Sequence, residues 1–248
     1  MARFSGRVAV VTGAAGGIGA ALVRRFLGEG AGVVAADLDV ARAARLDEAA
    51  SAEGRLLPLR LDVTSEEDCL ALARQVEERF GRIDILVNNA GVYPAQRFED
   101  ISYAEWRRII AINLDGAFLM TRAVLPAMRR GKWGRIVNIS SGSVLLGTPL
   151  FTHYAAAKSG IIGFSRSLAS EIGEAGITVN VVSPGLTATE TVLKTISPEL
   201  LELRRQQRPL RRHQYADDVV GAILFLASSD AEFITGQTVN VDGGAAMH

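Results

Sequence analysis

The feature that most constrains the fold of this chain is a regular alternation of short apolar segments with longer segments of helical periodicity. Residues 8–11 form an apolar run that ends in a glycine-rich turn, and residues 17–27 carry apolar side chains at helical spacing. Short apolar runs bounded by turn residues are typical of strands that are buried on both faces. The same alternation predicts further strands at 32–37, 56–61, 83–87, 135–139, 178–182 and 238–241, and helices at 40–53, 65–80, 103–130, 151–174 and 216–227.

This alternation predicts an α/β chain with a single Rossmann-type, doubly wound domain spanning residues 1–248. Because helical crossovers join parallel strands, we expect a mostly or wholly parallel sheet of seven strands. No low-complexity linker or internal repeat divides the sequence. The regular pattern lapses after Pro184, so residues 185–215 are predicted to be a variable substrate loop or lid within the domain.

Composition and charge argue against several classes of partner. The 27 basic and 27 acidic residues give a formal net charge of zero, which does not favour nucleic acid or an anionic membrane. The N-terminal segment lacks the pattern of a signal peptide, and the single cysteine, Cys69, cannot form an intramolecular disulfide. The three histidines do not form a metal-binding motif. We therefore expect a cytoplasmic protein without a catalytic metal that acts on a small molecule.

A glycine-rich turn, Thr12 to Gly19, lies between the first strand and the first helix. Glycines let a phosphate approach the backbone closely, and a helix N-terminus offers free N–H groups and the positive end of a dipole. We predict that the turn binds the diphosphate of a dinucleotide. Its spacing departs from G-x-G-x-x-G, so a tight turn without a ligand is also open. The residues expected to contact the cofactor here are Gly13, Gly17, Ile18 and Gly19.

Two aspartates end the second and third predicted strands. Asp37 lies about 20 residues into the unit, where a carboxylate can accept hydrogen bonds from the adenosine ribose and repel a 2′-phosphate. A role as a helix cap is the alternative, although Asp39 is better placed to cap the next helix. Asp62, followed by Val63, is a candidate for the adenine end, and an exposed turn is its alternative. Asp37 favours NAD(H) as the cofactor.

Tyr154 and Lys158 are four residues apart in a helical pattern, so their side chains emerge on the same face. A cation about 4 Å from a phenol contributes roughly 4 kcal/mol at an effective dielectric of about 20, enough to lower the phenol pKa by up to about three units. We therefore expect the pKa of Tyr154 to move from about 10 toward neutrality, with oxidised nicotinamide adding positive charge, so that it can serve as a general acid or base. A solvated helix face carrying both residues is the alternative.

Several further motifs follow the glycine-rich turn in a fixed order. They are Asn88-Asn89-Ala90-Gly91, Ser141, the Tyr154-to-Lys158 segment and Pro184-Gly185. In this combination, from about Gly6 to Gly244, the chain resembles the short-chain dehydrogenase/reductase family. The resemblance implies a Rossmann fold, a nicotinamide cofactor and a catalytic set of Asn113, Ser141, Tyr154 and Lys158.

The resemblance also assigns expected roles around the nicotinamide. Lys158 would hold the nicotinamide ribose, and Asn113 would support a water-mediated proton relay, with a buried structural asparagine as the alternative. The backbone of Thr187 and the side chain of Thr189 would bind the carboxamide. Ser141 would hydrogen-bond the reacting oxygen at the carboxyl end of the sheet, although Ser140 is the competing assignment. Further cofactor contacts are expected from Tyr154, Asn89, Ala90, Gly91, Pro184 and Gly185.

The predicted substrate pocket is apolar. Residues 191–203 have the pattern of an amphipathic lid, with a permanently packed surface helix as the alternative. His153 could line the pocket or face solvent. The expected substrate contacts are Ser141, Tyr93, Leu145, Phe151, His153, Val192 and Leu193.

These residues favour an NAD(H)-dependent secondary-alcohol dehydrogenase or ketone reductase. Residues 88–94, 152–154 and 233–237 are also similar to aromatic-alcohol members such as 1-phenylethanol dehydrogenase. Carrier-linked 3-oxoacyl reductases often use NADPH and have basic residues at the adenosine end, which Gly16, Gly17, Asp37 and Leu38 do not provide. A 3-oxoacyl reductase, a sugar, polyol or pyridoxal dehydrogenase, and a silent NAD-binding scaffold are the alternatives. The family resemblance also implies a homotetramer.

Overall fold

A computed structural model describes residues 2–247 and contains one seven-stranded sheet. All six strand pairs are parallel, in the order β3-β2-β1-β4-β5-β6-β7, which confirms the predicted fold class. The order reverses between β1 and β4, and ligands of open α/β sheets bind at such a switch point. The strands are β1 (Val8–Thr12), β2 (Gly32–Asp37), β3 (Leu56–Arg60), β4 (Ile85–Asn88), β5 (Gly134–Ile139), β6 (Ile177–Pro184) and β7 (Thr238–Val241).

Helices cover both faces of the sheet and bury its apolar strands. On one face, α1 and α11 contribute Leu22, Phe26 and Ile223 to a core that includes β1 and β2. On the other face, Leu72 and Met120 come from α4 and α6. The helices are α1 (Gly17–Gly28), α2 (Val40–Ala44), α3 (Glu48–Ala52), α4 (Glu66–Phe80), α5 (Tyr103–Ile110), α6 (Gly116–Gly131), α7 (Ser143–Leu146), α8 (Thr152–Ile172), α9 (Glu190–Thr195), α10 (Pro198–Gln206) and α11 (Ala216–Leu226).

Two predicted helices are interrupted. The segment predicted as a single helix at 40–53 forms α2 and α3, because Asp47 accepts a hydrogen bond from the Ala50 N–H and caps a new helix. The segment predicted at 103–130 contains a π-helical stretch, Ala111–Asp115, between α5 and α6. Single π-helical turns occur frequently at functional sites, and this one includes Asn113.

The continuous helical stretch Tyr103–Gly131 is long and apolar enough to cross a membrane by length and composition alone. Core helices that never meet a bilayer pass the same test. In this fold α6 packs against α4 and the sheet, and Met120, Val124 and Met128 are fully buried. The apolar composition of the stretch is therefore explained in part by the core.

Residues 185–215 contain two short helices, α9 and α10, which overlap the amphipathic segment predicted at 191–203. Ser197 caps α10 and Thr189 caps α9, each through a side-chain oxygen that accepts a backbone N–H. The short helix α7, just after β5, was not predicted. Both segments follow the carboxyl ends of strands, so they lie at the sheet edge where the predicted site residues converge.

Candidate active site

The glycine-rich turn is held too tightly for side chains at two of its positions. Gly13 has φ +64°, and a Cβ there would lie 2.8 Å from the Ala90 Cα. A Cβ on Gly19 would overlap the Gly13 carbonyl oxygen and lie 2.9 Å from Asn89 Nδ2. No side chain caps α1 at Gly16, and its first turn carries no acidic residue. The backbone N–H groups at this helix end are therefore available to a phosphate.

The Asn89-Ala90 segment after β4 is fastened to this turn. The Thr12 hydroxyl accepts the N–H groups of Asn89 and Ala90, both at 3.0 Å. The Asn89 side-chain amide donates to the carbonyls of Thr12 and Gly13, again at 3.0 Å. Thr12 was not predicted as a site residue, although it is a hydroxyl at the end of an apolar strand. These bonds give the two motifs one fixed geometry.

The three aspartates at this edge have different partners. Asp37 accepts the Ala15 N–H at 2.8 Å and the Asp39 N–H at 3.0 Å, so it supports the glycine-rich turn. Asp39 caps α2, as predicted, by accepting the Arg42 N–H. Asp62 accepts two hydrogen bonds from Thr64, which lower its pKa. Asp37 and Asp62 are both only partly buried, so each can also face a ligand.

Arg42 is a basic residue that the sequence analysis missed at the adenosine end. Its Nη2 lies 3.6 Å from the position a Cβ on Gly16 would take, and it pairs with Glu190 Oε2 at 2.6 Å. The positions considered in the sequence, from Gly16 to Gly17 and from Asp37 to Leu38, carry no basic side chain, but the fold brings Arg42 to this end. The reason is that α2 returns toward the turn, bringing a residue five positions beyond Asp37 next to Gly16. A helix of this length was not distinguishable in the sequence.

Tyr154 and Lys158 lie on one side of α8, with Lys158 Nζ 5.7 Å from the centre of the Tyr154 ring. Lys158 is 4% exposed, and its Nζ donates to the Ile139 carbonyl at 2.8 Å. The solvated-face alternative is therefore wrong for Lys158. Its ammonium is held between the helix and the carboxyl end of β5.

The pKa of Tyr154 differs from the value expected from the sequence. Burial raises the pKa of Tyr154 to about 12, which outweighs the lowering effect of its hydrogen bond with Ser141. Burial also lowers the pKa of Lys158 to about 8. Lys158 alone therefore does not lower the Tyr154 pKa toward neutrality, and the further lowering by oxidised nicotinamide stays a prediction. Removal of the phenol from water has a larger effect than the neighbouring cation.

Asn113 reaches the same place from the π-helical stretch. Its Nδ2 donates to the Val92 and Ile109 carbonyls, while its buried Oδ1 accepts no hydrogen bond from residues 2–247. A Cβ on Gly91 would lie 2.7 Å from this Oδ1 and 3.5 Å from Lys158 Nζ. A cavity of about 10 Å³, near the size that one water molecule needs, is bordered by Asn113 and Lys158.

The two serines after β5 have separate partners. Ser140 is buried, and its hydroxyl donates to the Lys158 carbonyl at 2.8 Å, which ties α8 to the sheet. Ser141 is only partly buried, hydrogen-bonds Tyr154, and accepts the Ser143 hydroxyl at 2.9 Å. The geometry therefore favours Ser141 over Ser140 for contact with a reacting oxygen.

Two of the predicted substrate residues surround the Tyr154 ring. Tyr93 and Phe151 pack against it edge-to-face, with ring centroids 6.1 and 6.2 Å away. Leu145, on α7, is 41% exposed. His153 is fully buried, and both ring nitrogens lack a partner among the described residues. Neither alternative for His153 is therefore seen, since a buried ring faces neither solvent nor an open pocket.

The predicted lid residues and the nicotinamide-end residues follow β6. Gly185 N–H donates to Val241 at 2.9 Å, which continues the pairing of Pro184 with β7. Thr187 is buried, whereas Thr189 caps α9 and hydrogen-bonds Tyr93. Next along α9, Val192 is 5% exposed and Leu193 is 58% exposed. The helix thus anchors itself with one apolar side chain and exposes the other.

A chain of buried polar side chains behind the site, which we call the polar ladder, was not predicted from the sequence. Asn88 donates to Asn138 Oδ1 at 2.8 Å, and Asn138 donates to Ser165 Oγ at 2.8 Å. The ladder links β4, β5 and α8, so it fixes the helix that carries Tyr154 and Lys158. Polar residues inside otherwise apolar strands were the available signal, because buried amides need partners.

These residues fit a dinucleotide cofactor by their own geometry. The turn leaves no room for side chains at Gly13 and Gly19, the N-terminus of α1 is uncapped, and the Asn113 Oδ1 is an unpartnered acceptor. Residues 2–247 contain no group of three or more histidine, cysteine, aspartate or glutamate side chains that could hold a metal. The site can therefore hold a nicotinamide dinucleotide beside a proton donor.

Comparisons with known proteins agree with this geometry. The family model described as Enoyl-(Acyl carrier protein) reductase matches residues 13–246. The chain is 41% identical to (2S)-((R)-hydroxy(phenyl)methyl)succinyl-CoA dehydrogenase subunit BbsD of Thauera aromatica, covering 97% of both sequences. It is 37% identical to the 3-oxoacyl-(acyl-carrier-protein) reductase FabG of Thermotoga maritima, covering 99% of this chain and 100% of the relative.

A solved structure is also closely similar. The short-chain dehydrogenase/reductase of Brucella melitensis, described as a glucose/ribitol dehydrogenase, superposes with a TM-score of 0.92 at 34% identity, and the match covers 99% of each chain. The fold and site define an oxidoreductase of the nicotinamide-dependent class. The chain belongs to the short-chain dehydrogenase/reductase family.

Proposed function

We propose that this enzyme transfers a hydride between NAD(H) and the carbinol or carbonyl carbon of an apolar secondary alcohol or ketone. The observation that carries the proposal is the aromatic surrounding of Tyr154, whose ring contacts Tyr93 and Phe151 edge-to-face. Aromatic side chains offer large apolar contact surfaces, and a few polar groups among them orient a ligand. The Tyr154 and Ser141 hydroxyls would supply this orientation for the reacting oxygen.

The proposed proton transfer follows from the pKa values of Tyr154 and Lys158. With a pKa of about 12, Tyr154 is protonated at neutral pH and is ready to donate its proton to a carbonyl oxygen during reduction. NAD(H), when bound, supplies or accepts the hydride. During oxidation Tyr154 accepts the alcohol proton, and the cationic form of Lys158, present below about pH 8, favours the phenolate. Asn113 would then exchange protons with Lys158 through one water.

The preference for NAD(H) is proposed on the position of Asp37. Its carboxylate supports the Ala15 backbone and remains partly exposed beside the turn. A carboxylate there would accept hydrogen bonds from ribose hydroxyls. We propose the remaining cofactor contacts as the family resemblance implies them, with Asp62 and Val63 toward the adenine and Thr187 and Thr189 toward the carboxamide.

We propose that α9 and α10 act as the lid over the substrate. Tyr93 hydrogen-bonds Thr189 at the start of α9, so a residue of the aromatic surrounding is joined to the segment that would move. Val192 is buried and Leu193 is exposed, which allows Leu193 to contact a substrate when the segment closes. A closed segment would exclude water during hydride transfer.

A thioester-linked 3-oxoacyl or hydroxyacyl substrate is the second candidate. The relatives from Thauera aromatica and Thermotoga maritima are named for CoA-linked and carrier-linked substrates. The lid segment also carries five arginines between positions 204 and 212. Within residues 2–247, Arg204 and Arg211 have no carboxylate partner within 4.0 Å, so they could face phosphates of a carrier.

We further propose that the enzyme works as a cytoplasmic homotetramer. Tyr103 and Phe118, on the long helical stretch, are 78% and 47% exposed, and Phe233 near β7 is fully exposed. Exposed large apolar side chains on two separate faces are typical of an assembly with two kinds of interface. Light scattering coupled to gel filtration would test this, and a monomer at micromolar concentration would contradict it.

The substrate proposal is tested by steady-state kinetics with NAD(H) and four substrates: 1-phenylethanol, acetophenone, a polyol and a 3-oxoacyl thioester. We expect the highest kcat/KM for the aromatic alcohol and ketone. Val192→Ala and Leu193→Ala should each change selectivity by about 1–3 kcal/mol if these side chains shape the pocket. A polyol or thioester that is far superior, with selectivity unaltered in both variants, would contradict the apolar lid.

A further inference from the structure

A buried arginine at the end of the lid contacts the loop that follows β6. Arg208, two residues after the end of α10, is 5% exposed. Its Nη2 donates to the Leu186 carbonyl at 2.6 Å. Leu186 lies between Gly185 and Thr187, so the guanidinium binds the loop at the point where the carboxamide contacts are proposed. The proton transfer described above does not use this buried cation.

The stem of Arg208 packs against the turn that follows β7. Its Cδ lies 3.4 Å from the position that a Cβ on Gly243 would take. The Leu210 N–H, two residues further along the chain, donates to the Gly243 carbonyl at 3.1 Å. The end of the lid is therefore tied to this turn by packing and by backbone, and the guanidinium reaches the Leu186 carbonyl from an anchored position.

A peptide carbonyl, rather than a carboxylate, is the partner of this cation. Within residues 2–247, no carboxylate lies within 4.0 Å of the Arg208 guanidinium. The Asp242 carboxylate favours the charged form of Arg208 from a greater distance, but its oxygens accept the N–H groups of Gly244 and Ala246, both at 2.9 Å. A buried cation without an ion pair depends on its hydrogen bonds. The bond to Leu186 is therefore a strong constraint on the loop.

The bond at Leu186 also fixes the direction of a neighbouring donor. The Leu186 carbonyl and the Thr187 N–H belong to one peptide unit, which is planar and trans, so the two groups point in opposite directions. Among residues 2–247, no acceptor bonds the Thr187 N–H, although Thr187 is buried. Buried backbone N–H groups need a partner, and a cation on the carbonyl makes the N–H of the same peptide a stronger donor. This peptide unit is therefore arranged to bind an acceptor such as an amide oxygen.

We propose that Arg208 is a positioning residue for the nicotinamide: by holding the Leu186 carbonyl, it directs the Thr187 N–H toward the carboxamide oxygen. This inference rests on the proposed function, since it concerns the same cofactor. In this role Arg208 touches neither the cofactor nor the substrate. Its loss should therefore weaken binding of the nicotinamide and leave binding of the adenosine half intact.

The test compares the affinities of the full-length enzyme for NADH and for ADP-ribose, which has the adenosine, the diphosphate and the second ribose but no nicotinamide. Arg208→Met removes the donors and keeps an apolar stem. NADH affinity should fall about tenfold, as expected for one charge-assisted hydrogen bond, while ADP-ribose affinity stays within about twofold. Arg208→Lys keeps a cation that can donate to one carbonyl, so it should recover NADH affinity to within about threefold of wild type. Arg208→Gln, whose amide is shorter than the guanidinium stem, should give the same loss where the methionine variant does not fold.

Arg135→Met is the matched control. Arg135 is also buried and donates to a backbone carbonyl, that of Ser228, at 3.1 Å. It lies at the start of β5, however, at the sheet edge opposite the predicted site residues. Its loss should lower the free energy of unfolding and leave the ratio of NADH affinity to ADP-ribose affinity unchanged.

Three results would overturn the inference alone. They are an affinity ratio that the methionine and glutamine variants leave unchanged, an equal loss of affinity for both ligands, and a lysine variant no better than the methionine variant. Failure of the wild type to bind either ligand would overturn the proposed function together with the inference. Because both affinities are measured without an alcohol or ketone, an unidentified substrate leaves the test intact.

Discussion

The cofactor half of the molecule and the substrate segment are built on opposite principles. At the cofactor end, from β1 to the Asn89-Ala90 segment, the backbone approaches closely at Gly13 and Gly19, and the side chains of Thr12 and Asn89 hold the turn with hydrogen bonds near 3.0 Å. In α9 and α10, positions are set by side chains such as the buried Val192 and by exposed ion pairs such as Arg205 with Glu202. Backbone geometry is dictated by steric exclusion, whereas exposed side chains adapt.

This difference in rigidity indicates that the cofactor end serves binding and hydride transfer, whereas the segment after β6 determines which substrate is accepted. A rigid backbone cradle suits a cofactor that is the same in every turnover. Between the buried Thr187 and Arg208, α9 and α10 are held by the buried Val192 and by surface charges, which suits closure over varied substrates. Tyr154 lies between the two regions, on a helix fixed to the sheet by Ser140 and by the Asn88 ladder. Variants on each side of Tyr154 should therefore affect different measurements.

The largest effect is expected from Tyr154→Phe, which keeps the aromatic ring and removes the acidic hydroxyl. Because general acid–base groups contribute about 10²–10⁴ in rate, kcat should fall by that range while NADH affinity stays within a few fold. Single-turnover hydride transfer and NADH titration measure the two quantities. A variant that keeps more than half of the wild-type kcat would remove Tyr154 from the proton transfer.

Gly19→Ala should distort the glycine-rich turn at the cofactor end and weaken NADH binding. The added Cβ would overlap the Gly13 carbonyl oxygen and crowd Asn89 Nδ2 at 2.9 Å, so the turn must shift. Because displacements of about 1 Å at such sites reduce function about 10²-fold, we expect NADH affinity to fall by a similar factor. Isothermal titration with NADH measures it.

The matched control is Gly163→Ala in α8, where a Cβ would meet nothing within 4 Å. It should leave NADH affinity unchanged and stabilise the protein by about 0.5–1 kcal/mol, because alanine is favoured over glycine inside helices. If the Gly19→Ala variant is folded at the assay temperature and binds NADH as well as the control does, the backbone of the glycine-rich turn does not need its exact position to bind the cofactor.

Asp37→Asn tests whether the carboxylate at the end of β2 sets the cofactor preference. The amide oxygen can still accept the Ala15 N–H, so the bond to the turn is retained, while the negative charge and the acceptor for the Asp39 N–H are lost. We expect the wild-type preference for NAD(H) over NADP(H) to be tenfold to several-hundredfold, on the order of 1.4–3.5 kcal/mol, and the variant to narrow this preference. The ratio of kcat/KM for the two cofactors decides the matter. An unchanged ratio would exclude Asp37 from the ribose site.

The smallest expected effect is on the free energy of unfolding, which burial of the Lys158 ammonium lowers. Its pKa is lowered from 10.5 to about 8 in the folded protein, so between these values the unfolded chain holds a proton that the folded chain has lost. Stability therefore rises with pH across this window, and below about pH 8 the buried charge destabilises the fold in full.

Lys158→Met should therefore be more stable than wild type at pH 7 by about 1–2 kcal/mol, after allowance for the lost bond to Ile139. The advantage should shrink as pH rises toward 9.5, below the range in which Tyr154 ionises. Urea unfolding at a series of pH values measures it. A variant less stable than wild type at pH 7, with no change in pH slope, would show that burial of the ammonium carries no penalty.

The same contrast explains how far the sequence could be interpreted. Strand β2 was predicted to the residue, since a run of apolar side chains reports burial on both faces. Strand β7 was also predicted to the residue, although its side chains are only partly buried. The break at Asp47 and the π-helical stretch around Asn113 were not predicted, because single caps and one-residue insertions barely change the periodicity. Arg42 and the Asn138–Ser165 contact depend on tertiary packing, and the Tyr154 pKa depends on its degree of burial.

The central claim is that a hydride passes between NAD(H) and a carbinol carbon at Tyr154, and isotope transfer tests it most directly. Acetophenone would be reduced with NADH carrying deuterium at the transferable position of nicotinamide C4, and the product would be examined by mass spectrometry and NMR. We predict one deuterium on the carbinol carbon, formed by wild type and slowed at least about 10²-fold by Tyr154→Phe. Absence of deuterium from acetophenone, from an aliphatic ketone and from a 3-oxoacyl thioester, by an enzyme that binds NADH, would contradict the claim and leave a silent nucleotide-binding protein.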